Sequence, residues 1–193
     1  GTRRASFGSR RHPASLMVTL AMPDDTSTAD STRGEITRLA RHLVQILTAR
    51  GETVACAESL TGGWLTAALV DIPGASVVVR GGMVSYATDL KASWLGVDPE
   101  LLAARGAVDP TVAAEMAQGV CRAAGSHWGL ATTGVAGPGP SDGKVAGTAF
   151  VAVAVGARVL AVRELHCAGD RSQVRAATVL AALSLLAEQV DHQ

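Results

Sequence analysis

A serine hydroxyl on a glycine-rich turn, a lone tyrosine and one of only two lysines fall within a short stretch of this chain, and acyl transfer uses groups of those kinds. Ser59 stands in Ala57-Glu58-Ser59-Leu60-Thr61-Gly62-Gly63, where paired glycines let the backbone come close to a ligand. A serine hydroxyl is a weak nucleophile at neutral pH and needs a base. None of the five histidines is paired in sequence with a candidate acid and nucleophile. A lysine can take that place if a dry site or a nearby cation lowers its pKa. Lys91 is the better of the two, because it follows a strand end close to Tyr86, whereas Lys144 lies in a polar glycine-rich loop where it stays solvated. Purely structural roles compete with these: Ser59 or Thr61 as a helix N-cap, and Lys91 as an exposed helix lysine.

Two further places suit an anion. Thr132-Thr133-Gly134-Val135-Ala136-Gly137-Pro138-Gly139 follows a strand and offers hydroxyls and glycine N–H groups, the materials of an anion nest or an oxyanion hole. It is not a Walker loop, since no Gly-Lys-Ser/Thr follows, and a plain structural loop is the alternative. Gly169-Asp170-Arg171 opens the last helix, where a positive dipole end and a guanidinium together fit a phosphate or carboxylate. Asp170 reads as a cap rather than an acid. Arg175, one turn on, either shares the anion or pairs with a surface carboxylate.

The elements that must position these groups follow from hydrophobic period and punctuation. Residues 1–34 mix Arg, Ser, Thr, Asp and Pro without period, an expected disordered extension, and order is expected from a capping box at Thr32 to Glu35. The spacing then predicts a first helix stopping at Gly51, a strand at Thr53 to Ala57, and a helix at Trp64 to Val70. A second strand runs from Val77 to Tyr86, and Thr88 or Asp89 caps a short helix ending near Gly96. Asp98-Pro99 and Asp109-Pro110 start two more helices. Strands at His127 to Val135, Thr148 to Val155 and Arg158 to Cys167 follow, the last two joined by a tight hairpin at Gly156-Ala157. Asp170 caps the final helix. The predicted fold is α/β, a three-layer α/β/α sandwich around a mixed, mostly parallel sheet of about five strands, with residues 35–193 as one domain.

Composition excludes several classes. The 17 basic and 17 acidic residues cancel, so no long-range field draws the chain to nucleic acid or a membrane surface, and any anion is recognised locally. Cys56, Cys121 and Cys167 form no CxxC and are not interleaved with histidines, which speaks against a disulfide framework or a zinc site. No apolar run approaches the roughly twenty residues of a membrane span, and Ala14 to Met22 is too short for a secretory signal. The expectation is a soluble, cytoplasmic protein that needs neither metal nor cofactor.

In order along the chain, AESLTGG, GGMVSYATDLK, LGV, GAVDPTVAAEMAQGV, TTGVAGPGP, KVAGT and GDRSQVRAAT resemble the CinA C-terminal domain family over about residues 35–190. The resemblance implies an amidohydrolase that deamidates nicotinamide mononucleotide to nicotinic acid mononucleotide and ammonia, and a homo-oligomer. It implies Ser59 as nucleophile, Lys91 with Tyr86 as its proton relay, and Thr61, Gly62, Thr133, Gly134, Gly137 and Arg171 as the substrate site. Backbone N–H groups of the Thr61 to Gly63 turn are expected to hold the oxyanion. The family also occurs fused to a larger N-terminal domain in competence-damage-inducible proteins, so the rival readings are a non-catalytic nucleotide-binding or interaction module and an amidase for another small amide. The sequence departs from the family at Leu60, at Ala87-Thr88-Asp89, at Asp109 and in a shortened loop before Gly147-Thr148, none of which removes a proposed catalytic group.

Overall fold

The computed structural model describes residues 26–193. Helix α1 spans Thr26–Arg50, followed by β1 (Val54–Glu58), α2 (Trp64–Val70), β2 (Val79–Val84), α3 (Thr88–Leu95), α4 (Pro99–Arg105), α5 (Pro110–Ala124), β3 (Trp128–Gly134), β4 (Thr148–Val155), β5 (Arg158–His166) and α6 (Arg171–Asp191), with a 3-10 turn at Ala75–Val77 before β2. The strands form one sheet in the order β2-β1-β3-β4-β5. β1 pairs parallel with β2 and β3, while β4 runs antiparallel to both β3 and β5. Four strands therefore point one way and β4 alone points back, the mixed, mostly parallel α/β sheet that the element order predicts.

Alternation along the central strands sorts the two faces. Val54, Cys56, Trp128, Leu130, Val151 and Val153 pack with α1, α2 and α6. Ala55, Ala57, Ala131, Ala152 and Ala154 face α5 with Leu95, Val112 and Met116. Small side chains on this second face bring α5 very close to the sheet. A β-carbon on Gly129 would collide with the Ala117 carbonyl, and one on Gly119 with the Leu95 carbonyl. The latter approach draws α3, which carries Lys91, against α5.

Three expectations change. Helix α1 starts at Thr26, so the Thr32 to Glu35 pattern lies within it and not at its beginning, and residues 26–34 are helical where an extension was expected. No glycine or proline interrupts residues 26–33, so nothing in that stretch breaks the helix. The rest of that extension, residues 1–25, lies outside the described residues. Helix α3 takes Ala87 as its N-cap without a side-chain bond, which puts Thr88 and Asp89 in the first turn. Cap-plus-proline starts at Asp98 and Asp109 and the Asp170 cap form as expected, Asp170 with Gln173 closing a full capping box.

Candidate active site

The chain leaves β1 at Glu58 and turns through Ser59 to Gly63 before α2 begins. Gly62 and Gly63 both adopt positive φ, 58° and 98°, which side-chain-bearing residues rarely tolerate. Neither Ser59 nor Thr61 is a cap, because the N-cap of α2 is Gly63 and makes no side-chain bond. That role falls to Glu58, which the sequence reading missed. Its fully buried carboxylate accepts from the N–H groups of Gly63, Leu65 and Thr66 and from the Thr66 hydroxyl, at 2.6–3.1 Å. A carboxylate against a helix N-terminus satisfies orphan donors and the dipole together. From the other side Arg175 donates to the Leu60 and Thr61 carbonyls, both at 2.9 Å, while stacking over Trp64. Arg175 thus braces the serine turn instead of holding an anion or a surface carboxylate.

Lys91 is fully buried. Its Nζ lies 3.1 Å from Ser59 Oγ, 2.7 Å from the Ser85 carbonyl and 3.4 Å from the Tyr86 carbonyl. Burial lowers its pKa from 10.5 to about 8, with the Asp142 carboxylate opposing the shift. A neutral amine has two N–H bonds and one lone pair. With the two carbonyls accepting those N–H bonds, the lone pair is left for the Ser59 hydroxyl proton.

Ser59 and Lys91 open into a cleft of about 380 Å³, which is also lined by Tyr86, Thr133, Gly134, Gly137, Asp142 and Arg171. The structure corrects several assignments within it. Tyr86 meets Lys91 through its backbone carbonyl, whereas its hydroxyl accepts from Arg171 at 3.1 Å. The hydroxyl is therefore an Arg171 partner and not a relay on the amine. Arg171 also donates to the Gly137 carbonyl at 2.8 Å, which ties the glycine loop to the start of α6. Thr61 is fully buried with its hydroxyl on Thr132 at 2.8 Å, and neither it nor Gly62 lines the cleft. Thr133 does line it, but its hydroxyl is committed to the Ala107 carbonyl at 2.7 Å. Gly134 leaves no room for a β-carbon against Ala149. Two of the expected oxyanion donors are occupied, since Gly62 N–H donates to the Ser59 carbonyl and Gly63 N–H to Glu58. The N–H groups of Leu60, directly after Ser59, and of Thr61 have no partner among the described residues.

Asp142 also escaped the sequence reading, although Ser-Asp-Gly-Lys is a turn signature. Among the described residues no group of three or more His, Cys, Asp or Glu side chains could hold a metal ion. No helix among them is long and apolar enough to cross a membrane.

Comparison with known proteins gives one consistent result. The CinA C-terminal domain model matches residues 36–190. A CinA-like protein of Frankia casuarinae is 50% identical over 141 residues, 73% of this chain and 32% of that protein. One from an Anaeromyxobacter species is 46% identical over 145 residues, 75% of this chain and 35% of its own length. The chain therefore spans about a third of these relatives. The crystal structure of the competence/damage inducible protein CihA from Agrobacterium tumefaciens superposes with a TM-score of 0.76 at 38% identity, covering 80% of this chain and 95% of that one.

Proposed function

The chain belongs to the CinA C-terminal domain family, and from its cleft we propose that it hydrolyses the carboxamide of nicotinamide mononucleotide, releasing ammonia and nicotinic acid mononucleotide. The observation that carries this reading is the buried Lys91 amine 3.1 Å from Ser59 Oγ. A lysine whose pKa is brought to about 8 supplies a neutral amine at working pH, the property a general base needs.

Ser59 Oγ attacks the carboxamide carbon while Lys91 Nζ takes the hydroxyl proton. The tetrahedral intermediate carries its negative charge on the former carbonyl oxygen, where the Leu60 and Thr61 N–H groups are the donors available from the serine turn. Lys91 then returns the proton to the amide nitrogen, the C–N bond breaks and ammonia leaves. Water, deprotonated by Lys91, hydrolyses the nicotinoyl ester and restores the Ser59 hydroxyl. Arg171, held by the Gly137 carbonyl and the Tyr86 hydroxyl, binds the 5′-phosphate.

The test is ammonia release by the purified chain from nicotinamide mononucleotide, nicotinamide riboside and free nicotinamide, each with Ser59→Ala as control. Release that is fastest from the mononucleotide and lost with Ser59 supports the reading. No release from any of the three sinks the enzymatic proposal, and preference for a phosphate-free amide redirects it to another substrate.

A further inference from the structure

Among the described residues that line the cleft, Asp142 alone carries a carboxylate. Ser141 to Lys144 close a tight turn through paired backbone bonds of 3.0 and 2.9 Å, with Asp142 and Gly143 at φ of 50° and 69°. Positive φ at both central positions is the geometry of a primed turn, which folds Asp142 back toward the cleft. Its Oδ2 accepts from Ala107 N–H at 2.9 Å, and the Ala107 carbonyl in turn receives the Thr133 hydroxyl. The carboxylate is thereby fixed on one oxygen. No protein donor among the described residues meets Oδ1.

This placement works against the base. Within the cleft the Asp142 charge favours the ammonium form of Lys91, opposing the effect of burial. A cation entering the cleft resolves both features at once, since it pairs with the unused carboxylate oxygen and its own charge disfavours an ammonium beside it. Nicotinamide mononucleotide carries such a cation, because glycosylation makes its ring nitrogen a quaternary pyridinium.

We propose that Asp142 is a specificity-determining residue whose carboxylate selects a positively charged pyridinium amide over a neutral aromatic amide. The inference rests on the reaction proposed above and names the charge state of the ring that the cleft accepts.

Two small probes isolate the ring from the phosphate: 1-methylnicotinamide, a permanent cation, and nicotinamide, its neutral counterpart. Their dissociation constants are measured by ligand-observed NMR titration on the wild type and on Asp142→Asn. Asparagine keeps an acceptor for Ala107 N–H and tolerates the positive φ. The wild type is expected to prefer the cation by about fivefold, the size of a partly solvated charge pair. Asp142→Asn should lose that preference with its nicotinamide affinity unchanged. Equal binding of the two probes to the wild type, or an undiminished preference in Asp142→Asn, overturns the proposal. Should the variant not fold, the wild-type comparison alone decides. Ammonia release reports separately on the reaction: a protein that prefers the cation but releases no ammonia keeps this role for Asp142 and loses the reaction, and the reverse result removes only Asp142.

Discussion

Lys91 Nζ lies 3.1 Å from Ser59 Oγ across a separation of 32 residues, and the carbonyls of Ser85 and Tyr86 hold the amine there. Residues that share one proton act as a unit, so their losses do not add. Ser59→Ala and Lys91→Met should each lower turnover by about a thousandfold or more, and the double variant should lose little beyond either. Steady-state ammonia release measures this. A double variant another thousandfold slower would mean that the two groups serve separate steps.

The pH dependence has a defined direction. The neutral amine is the base, so turnover should rise with pH and level off above about 8. Stability follows the same group. Its folded pKa lies below the unfolded one, so between about 8 and 10.5 the unfolded chain holds a proton that the folded chain has released. The Lys91 contribution to stability therefore improves as pH climbs through that window and is at its least favourable below it. Lys91→Met removes this slope. Denaturant titrations at several pH values should show the wild type gaining on the variant from pH 8 upward, and parallel curves would contradict a lowered Lys91 pKa.

Glu58 braces the turn that carries Ser59 but does not line the cleft. Glu58→Gln replaces an acceptor of several donors with an amide that must present N–H to one of them. The expected loss is about 2–4 kcal/mol of stability, from charge-assisted bonds removed and a buried donor left unpaired. Where the variant is folded, kcat should fall more than KM rises, because the serine turn loosens while the cleft walls remain. A fully stable variant would show that the α2 N-terminus needs no charge.

Arg171→Ala should weaken mononucleotide binding by about 1.5–3 kcal/mol, the range for a hydrogen bond to a charged group. The riboside, which lacks the phosphate, should be unaffected. Tyr86→Phe removes only an acceptor from Arg171, so it should raise KM modestly, by about 0.5–1.5 kcal/mol, and leave the pH profile of turnover in place. An equal loss on both substrates would move the phosphate away from Arg171, and a shifted pH profile in Tyr86→Phe would return its hydroxyl to the proton path.

Much of this protein was legible in the residues themselves, because the interactions that write it there are local. Asp98 and Asp109 ahead of prolines, the Asp170 cap and the Gly156-Ala157 hairpin join residues a few positions apart, so they fix helix starts and strand partners wherever they occur. Apolar periodicity gave the layers, and residue chemistry marked Ser59 and Lys91 as candidates whose roles as nucleophile and base the family resemblance implied. The direction of each side chain was not written locally. Thr61 turns inward to Thr132, the Tyr86 hydroxyl turns to Arg171, and Glu58 turns under α2, while Asp142 reaches the cleft from a distant turn. These outcomes depend on β1 lying between β2 and β3 and on α5 pressing close at Gly119 and Gly129. That burial separates Lys91 from a solvated helix lysine and gives it the property the proposed base needs, because removing water from the amine disfavours its charged form.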